Sequence, residues 1–335
     1  MNNEAPLLSV VIPVYFEEQV IDEFYLRLKA VLVGLKPRYR HELIFVNDGS
    51  GDGSLEILRG LSKKDPCLRV VSLSRNFGHQ IAITAGINHA SGDAVVVIDG
   101  DLQDPPEVIA SMVDLWENGY SVVYGVREER EGENLFKRFT AKAFYRLINL
   151  LSSHYLPPDS GDFRLMDGAV VDVLKEMTEE SRYLRGMISW VGFSQIGLGY
   201  KRDARYAGNT KYTLRKMIKF ALDGLVSFSD KPLRLSSHFG LLMTLTSFIA
   251  IIALVVIKII NPEATMVGWT SLLVIILFLG GIQLISIGVL GEYIARIFHE
   301  TKQRPLYVIA EKYGFGDKGA EAQLEETPKV ADLTE

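Results

Sequence analysis

Asp93-Ala-Val-Val-Val-Ile-Asp-Gly-Asp-Leu-Gln-Asp-Pro-Pro106 decides how this 335-residue chain is read. A short β-branched run ends on two carboxylates, Asp99 and Asp101, and the chain then turns through two prolines. Such a run predicts a strand, and ligands of parallel sheets bind beyond the carboxyl ends of their strands. Hard oxygen ligands at that point can hold Mg²⁺ or Mn²⁺ against the diphosphate of a nucleotide. The pair points to chemistry that moves a group off a nucleotide.

Outward from this strand, residues 7 to 127 alternate β-branched runs with helical patterns, the signature of an α/β, doubly wound, mostly parallel sheet. The predicted strands are Leu8–Val14, Leu43–Asn47, Arg69–Leu73, Ala94–Ile98 and Val122–Gly125. Polar residues follow one strand end after another: Tyr15 and Glu17, Asn47 and Asp48, Ser74-Arg75-Asn76, then Asp99 and Asp101. Between the first two strands, Val20, Ile21, Phe24, Leu28, Val31, Leu32 and Leu35 recur at helical spacing and predict a core-facing stripe. Gly49-Ser-Gly51-Asp-Gly53-Ser54 misses the dinucleotide fingerprint, because Ser54 stands where the third glycine belongs.

The second half changes character. Leu235 to Ile257 and Ala264 to Gly291 contain no Asp, Glu, Lys or Arg, and each is long enough to cross about 30 Å of hydrocarbon. Arg215, Lys216, Lys219, Lys231 and Arg234 precede the first run, and Arg296, Lys302 and Arg304 follow the second. Positive flanks predict that both outer ends, and hence the N-terminal domain, are cytoplasmic. The expected organisation is a catalytic domain (1–212), an amphipathic interfacial segment (213–234), a two-helix transmembrane hairpin (235–297), a juxtamembrane segment (298–315) and a disordered acidic tail (316–335). Gly280, Gly281, Gly288 and Gly291 would allow close helix contact and make a homo-oligomer plausible. Cys67 is the single cysteine and allows no internal disulfide. Six scattered histidines lack zinc-site spacing, and none is assigned a function.

Eight strings in register carry a resemblance. They are Ser9-Val-Val-Ile-Pro-Val-Tyr-Phe-Glu17, Val46-Asn-Asp-Gly-Ser50, Ser74-Arg-Asn-Phe-Gly-His-Gln80, Ile98-Asp-Gly-Asp-Leu-Gln-Asp-Pro-Pro106, Gly125-Val-Arg127, Gly161-Asp-Phe-Arg164, Leu184-Arg-Gly186 and Gly208-Asn-Thr-Lys-Tyr212. In them the chain resembles the family-2 glycosyltransferases of the GT-A fold, specifically the polyprenyl-phosphate hexose synthases related to dolichol-phosphate mannose synthase. The paired apolar runs are similar to those of the bacterial subgroup that makes undecaprenyl-phosphate glucose.

The resemblance implies a nucleoside pocket at Pro13, Tyr15, Glu17 and Asp48, and a diphosphate and metal site for Mg²⁺ or Mn²⁺ at Asp99, Asp101 and Gln103. It implies Arg127 and Arg138 for the acceptor phosphate, Arg205 and Lys211 over the diphosphate or that phosphate, and Asp162 with Arg164 near the acceptor. The expected partners are UDP-glucose, a polyprenyl phosphate and the bacterial plasma membrane, with no nucleic acid. A polyprenyl phosphate is largely dianionic at neutral pH, so it needs cancelled charge more than a general base. In-line displacement would invert the anomeric centre. A polysaccharide synthase would carry Gln-x-x-Arg-Trp and further apolar runs, and neither is present. A non-catalytic lipid carrier or scaffold keeping the nucleotide fold, and the same enzyme class using GDP-mannose, are the alternatives.

Overall fold

The computed structural model describes residues 5–36, 38–127, 160–202, 231–260 and 268–315. Arg138, Arg205, Lys211, residues 213–230 and the tail 316–335 lie outside the described residues. The described elements are β1 (Leu7–Val14), α1 (Ile21–Leu35), β2 (Arg40–Asn47), α2 (Ser54–Lys64), β3 (Leu68–Leu73), α3 (His79–His89), β4 (Ala94–Val97), α4 (Val108–Glu117) and β5 (Val122–Arg127). Then follow β6 (Ser160–Asp167), α5 (Gly168–Glu176), α6 (Leu184–Val191), β7 (Gln195–Tyr200), α7 (Lys231–Ile260), α8 (Trp269–Thr301) and β8 (Ile309–Tyr313). One compact unit holds β1–β8 with α1–α6, and a second holds α7 and α8.

In the first unit the sheet runs in the order β7-β5-β6-β4-β1-β2-β3-β8. The pairs β1–β2, β1–β4, β2–β3 and β5–β7 are parallel, as expected of β-branched runs alternating with helices. The sheet is nevertheless mixed, because β6 runs antiparallel between β4 and β5, and β8 antiparallel along β3. Ile21, Phe24, Leu28, Leu32 and Leu35 bury the inner face of α1, with Phe24 edge-on to Phe45 of β2 at 6.4 Å between ring centroids. Removing the Phe24 side chain would cost about 3–5 kcal/mol, as for other fully buried aromatics.

Two features of this sheet place the site. The chain passes from β1 through β2 to β3 on one side and then crosses to β4 on the other, so a switch point falls between β1 and β4. The β1–β4 register ends at Val11↔Val97, and Pro13, which has no N–H to contribute, follows where that ladder has stopped. On the other flank, β4 meets β6 with Val97 opposite Arg164. Two residues further along the same register, Asp99 stands across from Asp162.

The sequence reading ended the catalytic domain at 212 and placed no strand in 298–315. The sheet instead takes β8 from there, with Val70 opposite Tyr313 and Ser72 opposite Glu311. Arg59 pairs with Glu311 and lies over the Tyr313 ring at 5.1 Å, and the Asn88 side-chain amide donates to the Tyr307 hydroxyl at 3.2 Å. Five residues with weak alternation carry little strand signal. It is the open edge of β3 that recruits them.

In the second unit α7 and α8 touch one another. Leu241, Leu245, Phe248, Leu284 and Ile285 are all exposed, a surface that water covers poorly. By length and composition one stretch, Phe278–Thr301, could cross a membrane among the described residues, beside a shorter apolar stretch, Ser237–Ala250, in α7. Two spans were expected, and one passes this test. Among the described residues, a Cβ added at Gly280, Gly281, Gly288 or Gly291 would meet nothing within 4 Å.

A chain ending at Thr301 should lose hydrogen-exchange protection across Leu68–Leu73, while Leu8–Val14 stays protected. Unchanged exchange in β3 would show that its edge does not depend on β8.

Candidate active site

The loop after β1 is laced to the turn after β2. The Phe16 amide donates to Ser50 Oγ at 3.2 Å, the Glu17 amide to Ser54 Oγ at 3.1 Å, and the Gly53 amide to Glu18 Oε2 at 2.7 Å. The glycine- and serine-rich string after Asp48 therefore supports the β1 loop. Gly49 has φ +66°, and a Cβ there would lie 2.4 Å from the backbone carbon of Arg75, so no other residue fits. Tyr15 and Phe16 stand exposed at this rim, their rings edge-to-face at 4.6 Å. Phe16 itself has φ +59°, a backbone region costly for a non-glycine residue.

Pro13 and Asp48 sit deeper than a pocket lining would. Pro13 is buried within β1 opposite Val46. Asp48 is also buried, and its carboxylate holds the β3–α3 loop: Oδ1 accepts from the Phe77 amide at 2.7 Å, and Oδ2 from the Gly78 amide at 3.0 Å and the Asn76 side chain at 2.9 Å. Burial raises its pKa, and the two backbone donors oppose that rise. Asn47 is equally buried and bonds Ser50 and Ser72.

After β4, Asp101 Oδ1 accepts from the Gln103 amide at 3.1 Å, and Leu102 takes φ +59°. This tight turn keeps both acidic residues at the sheet edge, with Gln103 buried behind them. Asp99 Oδ1 is buried and has no hydrogen-bond partner among the described residues; His79 Nε2 stands 3.4 Å away. Burial, then Asp162, Asp104 and Asp101, push the Asp99 carboxyl up to about 6, against the charge of His79. A sealed carboxylate oxygen amid like charges fits a divalent cation, which would relieve both strains. Among the described residues no three acidic, histidine or cysteine side chains already form a cage, so a cation here would need oxygens from its substrate.

Asp162 gathers the other flank. Its Oδ2 accepts from Gln80 Nε2 at 3.0 Å and lies 3.3 Å from His79 Nε2, and its Oδ1 accepts from Arg185 Nε at 2.9 Å. Gln80 also accepts the Leu184 amide at 3.1 Å, which ties the start of α6 to the start of α3. Sequence reading paired Asp162 with Arg164. The closer partner is Arg185, whereas Arg164 is buried, donates to the Gly161 carbonyl at 2.8 Å, and stands 4.0 Å from the carboxylate. Burial brings Arg164 down to about 10. Burial alone would raise Asp162, but hydrogen bonds from His79 and Arg185 and the charges of Arg185 and Arg164 hold it well below the usual carboxylate range. These bonds stabilise the fold above about pH 4 and are lost only as pH falls through that depressed value.

His79 was assigned no role from sequence, yet it lies between Asp99 and Asp162. Burial disfavours its charged form, but the charge of Asp99 and the bond to Asp162 outweigh this and push its pKa up to about 9. Asp104, Tyr200 and Arg202 were also missed, although Asp104 stands inside the motif itself. Arg127 is half-buried at the end of β5, beside them.

Residues 9–174 match the family described as Glycosyl transferase family 2, and residues 231–297 match the GtrB C-terminal hairpin. An uncharacterised glycosyltransferase of Bacillus subtilis (strain 168), YkcC, is 51% identical over 310 residues, 92% of this chain and 95% of that protein. A prophage bactoprenol glucosyl transferase homolog of Escherichia coli (strain K12) is 43% identical over 302 residues, 90% of this chain and 98% of that protein. Among solved structures, the mannosyltransferase PcManGT of Pyrobaculum calidifontis, in complex with GDP-Man and Mn²⁺, is 15% identical, with a TM-score of 0.46 over 90% of this chain and 89% of that one. The sheet with its acidic switch point is thus that of a glycosyltransferase. The chain belongs to glycosyltransferase family 2 and carries the C-terminal helical hairpin of the GtrB kind.

Asp48→Asn would turn one acceptor oxygen into a donor facing other donors. Thermal unfolding should report a loss of about 1–3 kcal/mol, together with weaker nucleotide binding.

Proposed function

We propose that this enzyme transfers a hexose, glucose from UDP-glucose, to a polyprenyl phosphate at the cytoplasmic face of a bacterial membrane. The observation that carries the reading is the near full-length correspondence, helical hairpin included, with relatives named bactoprenol glucosyl transferase. The apolar surfaces of α7 and α8 support a membrane seat. Both helices would cross the bilayer, with the termini cytoplasmic, as the flanking basic residues imply.

The chemistry follows from charge. Tyr15, Glu17 and the loop that Asp48 holds would receive the nucleoside. Asp99 and Asp101, with Gln103, would hold a divalent cation, Mg²⁺ or Mn²⁺, which supplies positive charge to the departing diphosphate. Arg127 would hold the acceptor phosphate, with Arg138, Arg205 and Lys211 as further cations on that side. An oxygen of the acceptor phosphate attacks the anomeric carbon, the carbon–oxygen bond to the diphosphate breaks with its electron pair, and configuration inverts. No proton needs to leave the nucleophile. A carboxyl held as low as Asp162 is a weak base, so it orients Arg185 and His79 rather than abstracting a proton.

Purified protein in detergent with undecaprenyl phosphate and Mg²⁺ should convert radiolabelled UDP-glucose to labelled lipid, and GDP-mannose should give less. No labelled lipid from any donor would leave the non-catalytic carrier as the reading. Asp101→Asn should lower transfer at least about a hundredfold at unchanged melting temperature. The rate should fall below about pH 6, where the acceptor phosphate gains its second proton. Asp162→Asn should be slower but keep that acid limb; a limb that disappears would make Asp162 the base.

A further inference from the structure

The end of the sheet formed by β5 and β7 holds a polar cluster around Arg127, of which the mechanism above uses Arg127 alone and leaves Asp104, Tyr200 and Arg202 without a role. β5 and β7 are parallel with Arg127 directly opposite Tyr200, and Arg202 follows two residues on, on the same side. Asp104, fully buried, reaches them from the loop that carries Asp99 and Asp101. The Tyr200 hydroxyl donates to Asp104 Oδ1 at 2.5 Å, and Arg202 Nε donates to the same oxygen at 3.1 Å. Arg127 in turn hydrogen-bonds the Tyr200 hydroxyl. Gly161 leaves the space for this: a Cβ there would come within 3.0 Å of Arg127 Nη2. The Tyr200 ring is fixed edge-on against Phe163 at 5.6 Å.

We propose that Asp104 and Tyr200 are positioning residues that aim Arg127 and Arg202 as a two-guanidinium cradle for the phosphate monoester of the acceptor. The inference rests on the reading of Arg127 as an acceptor-phosphate ligand. One buried carboxylate faces two guanidinium groups, which leaves one surplus positive charge at this corner. Arg127 Nε and Asp104 Oδ2 are both buried with no hydrogen-bond partner among the described residues, so this corner keeps unspent hydrogen-bonding capacity of both kinds. A planar guanidinium binds phosphate through paired, directional donors, so its aim matters as well as its charge. Tyr200 sets that aim, and Asp104 sets Tyr200. Because Asp104 lies three residues after Asp101, the metal loop and the acceptor cradle share one short rigid segment.

Tyr200→Phe tests this, because it deletes the hydroxyl and keeps the ring packed on Phe163. The full-length protein in detergent is titrated with farnesyl phosphate and, separately, with UDP and Mg²⁺. Farnesyl phosphate affinity should fall about tenfold, the scale of one hydrogen bond to a charged group, while UDP affinity stays within about twofold. Arg127→Lys should show a similar loss, and Tyr200→Phe added to it should cost little more, since Tyr200 acts through Arg127. Equal losses for both ligands, no loss for either, additive effects in the double variant, or a wild type that does not bind farnesyl phosphate would each overturn the proposal. A wild type that binds farnesyl phosphate and transfers no sugar would remove the proposed activity and leave the cradle standing.

Discussion

Carboxylates taken out of water at one edge of the sheet are the constraint on which the rest of this structure depends. An ion buried without a partner costs several kcal/mol, on the order of 3–5 when one member of a pair is removed. Asp48 and Asp104 are buried, and Asp162 is nearly so. Each has therefore been given donors from a different element. Backbone amides at the start of α3 hold Asp48, the first residues of α3 and α6 hold Asp162, and the end of β7 holds Asp104. Those bonds pin three loops to the switch point, so satisfying the charges and shaping the site are one event. Asp99 Oδ1 and Asp104 Oδ2 are left over, buried oxygens that no described group bonds.

The reversed strand β6 is what separates the two signs of charge. Had β4 and β5 been parallel neighbours, the residues beyond both would enter one crevice with no third strand between them. Because β6 enters antiparallel, its first residues rather than its last lie at the carboxyl edge. Asp162 then stands as a partition, with acidic Asp99 and Asp101 on one side and the guanidinium groups of Arg127 and Arg202 on the other. Such a separation suits the two anionic substrates proposed above, each of which would meet its own counter-charge before they approach one another.

The parallel part of the fold was legible because each strand was buried on both faces and read as a run such as Ala94-Val-Val-Val97. The strands β6, β7 and β8 were not. Ser160-Gly-Asp-Phe-Arg-Leu-Met-Asp167 carries site residues at alternate positions, and Gln195-Ile-Gly-Leu-Gly-Tyr200 contains two glycines, so neither shows a clean apolar pattern. Asp99, Asp101 and Asp162 were legible from their motifs. His79 was not: it stood inside a matching string, Ser74–Gln80, but its role depends on partners 20 and 83 residues away in the chain. Asp104 stood in plain view and was passed over because only the fold reveals that it faces Tyr200 and not solvent.

Strand β8 adds a constraint of order in time. The edge it closes belongs to a sheet whose other strands all lie before residue 201, yet β8 itself follows α7 and α8 in the chain. Arg59 cannot meet Glu311 until 252 further residues have been made. Until then β3 presents open backbone groups, the kind of edge that pairs with the wrong chain. The apolar helices are therefore synthesised while the sheet is still incomplete, and contacts this distant in sequence form late.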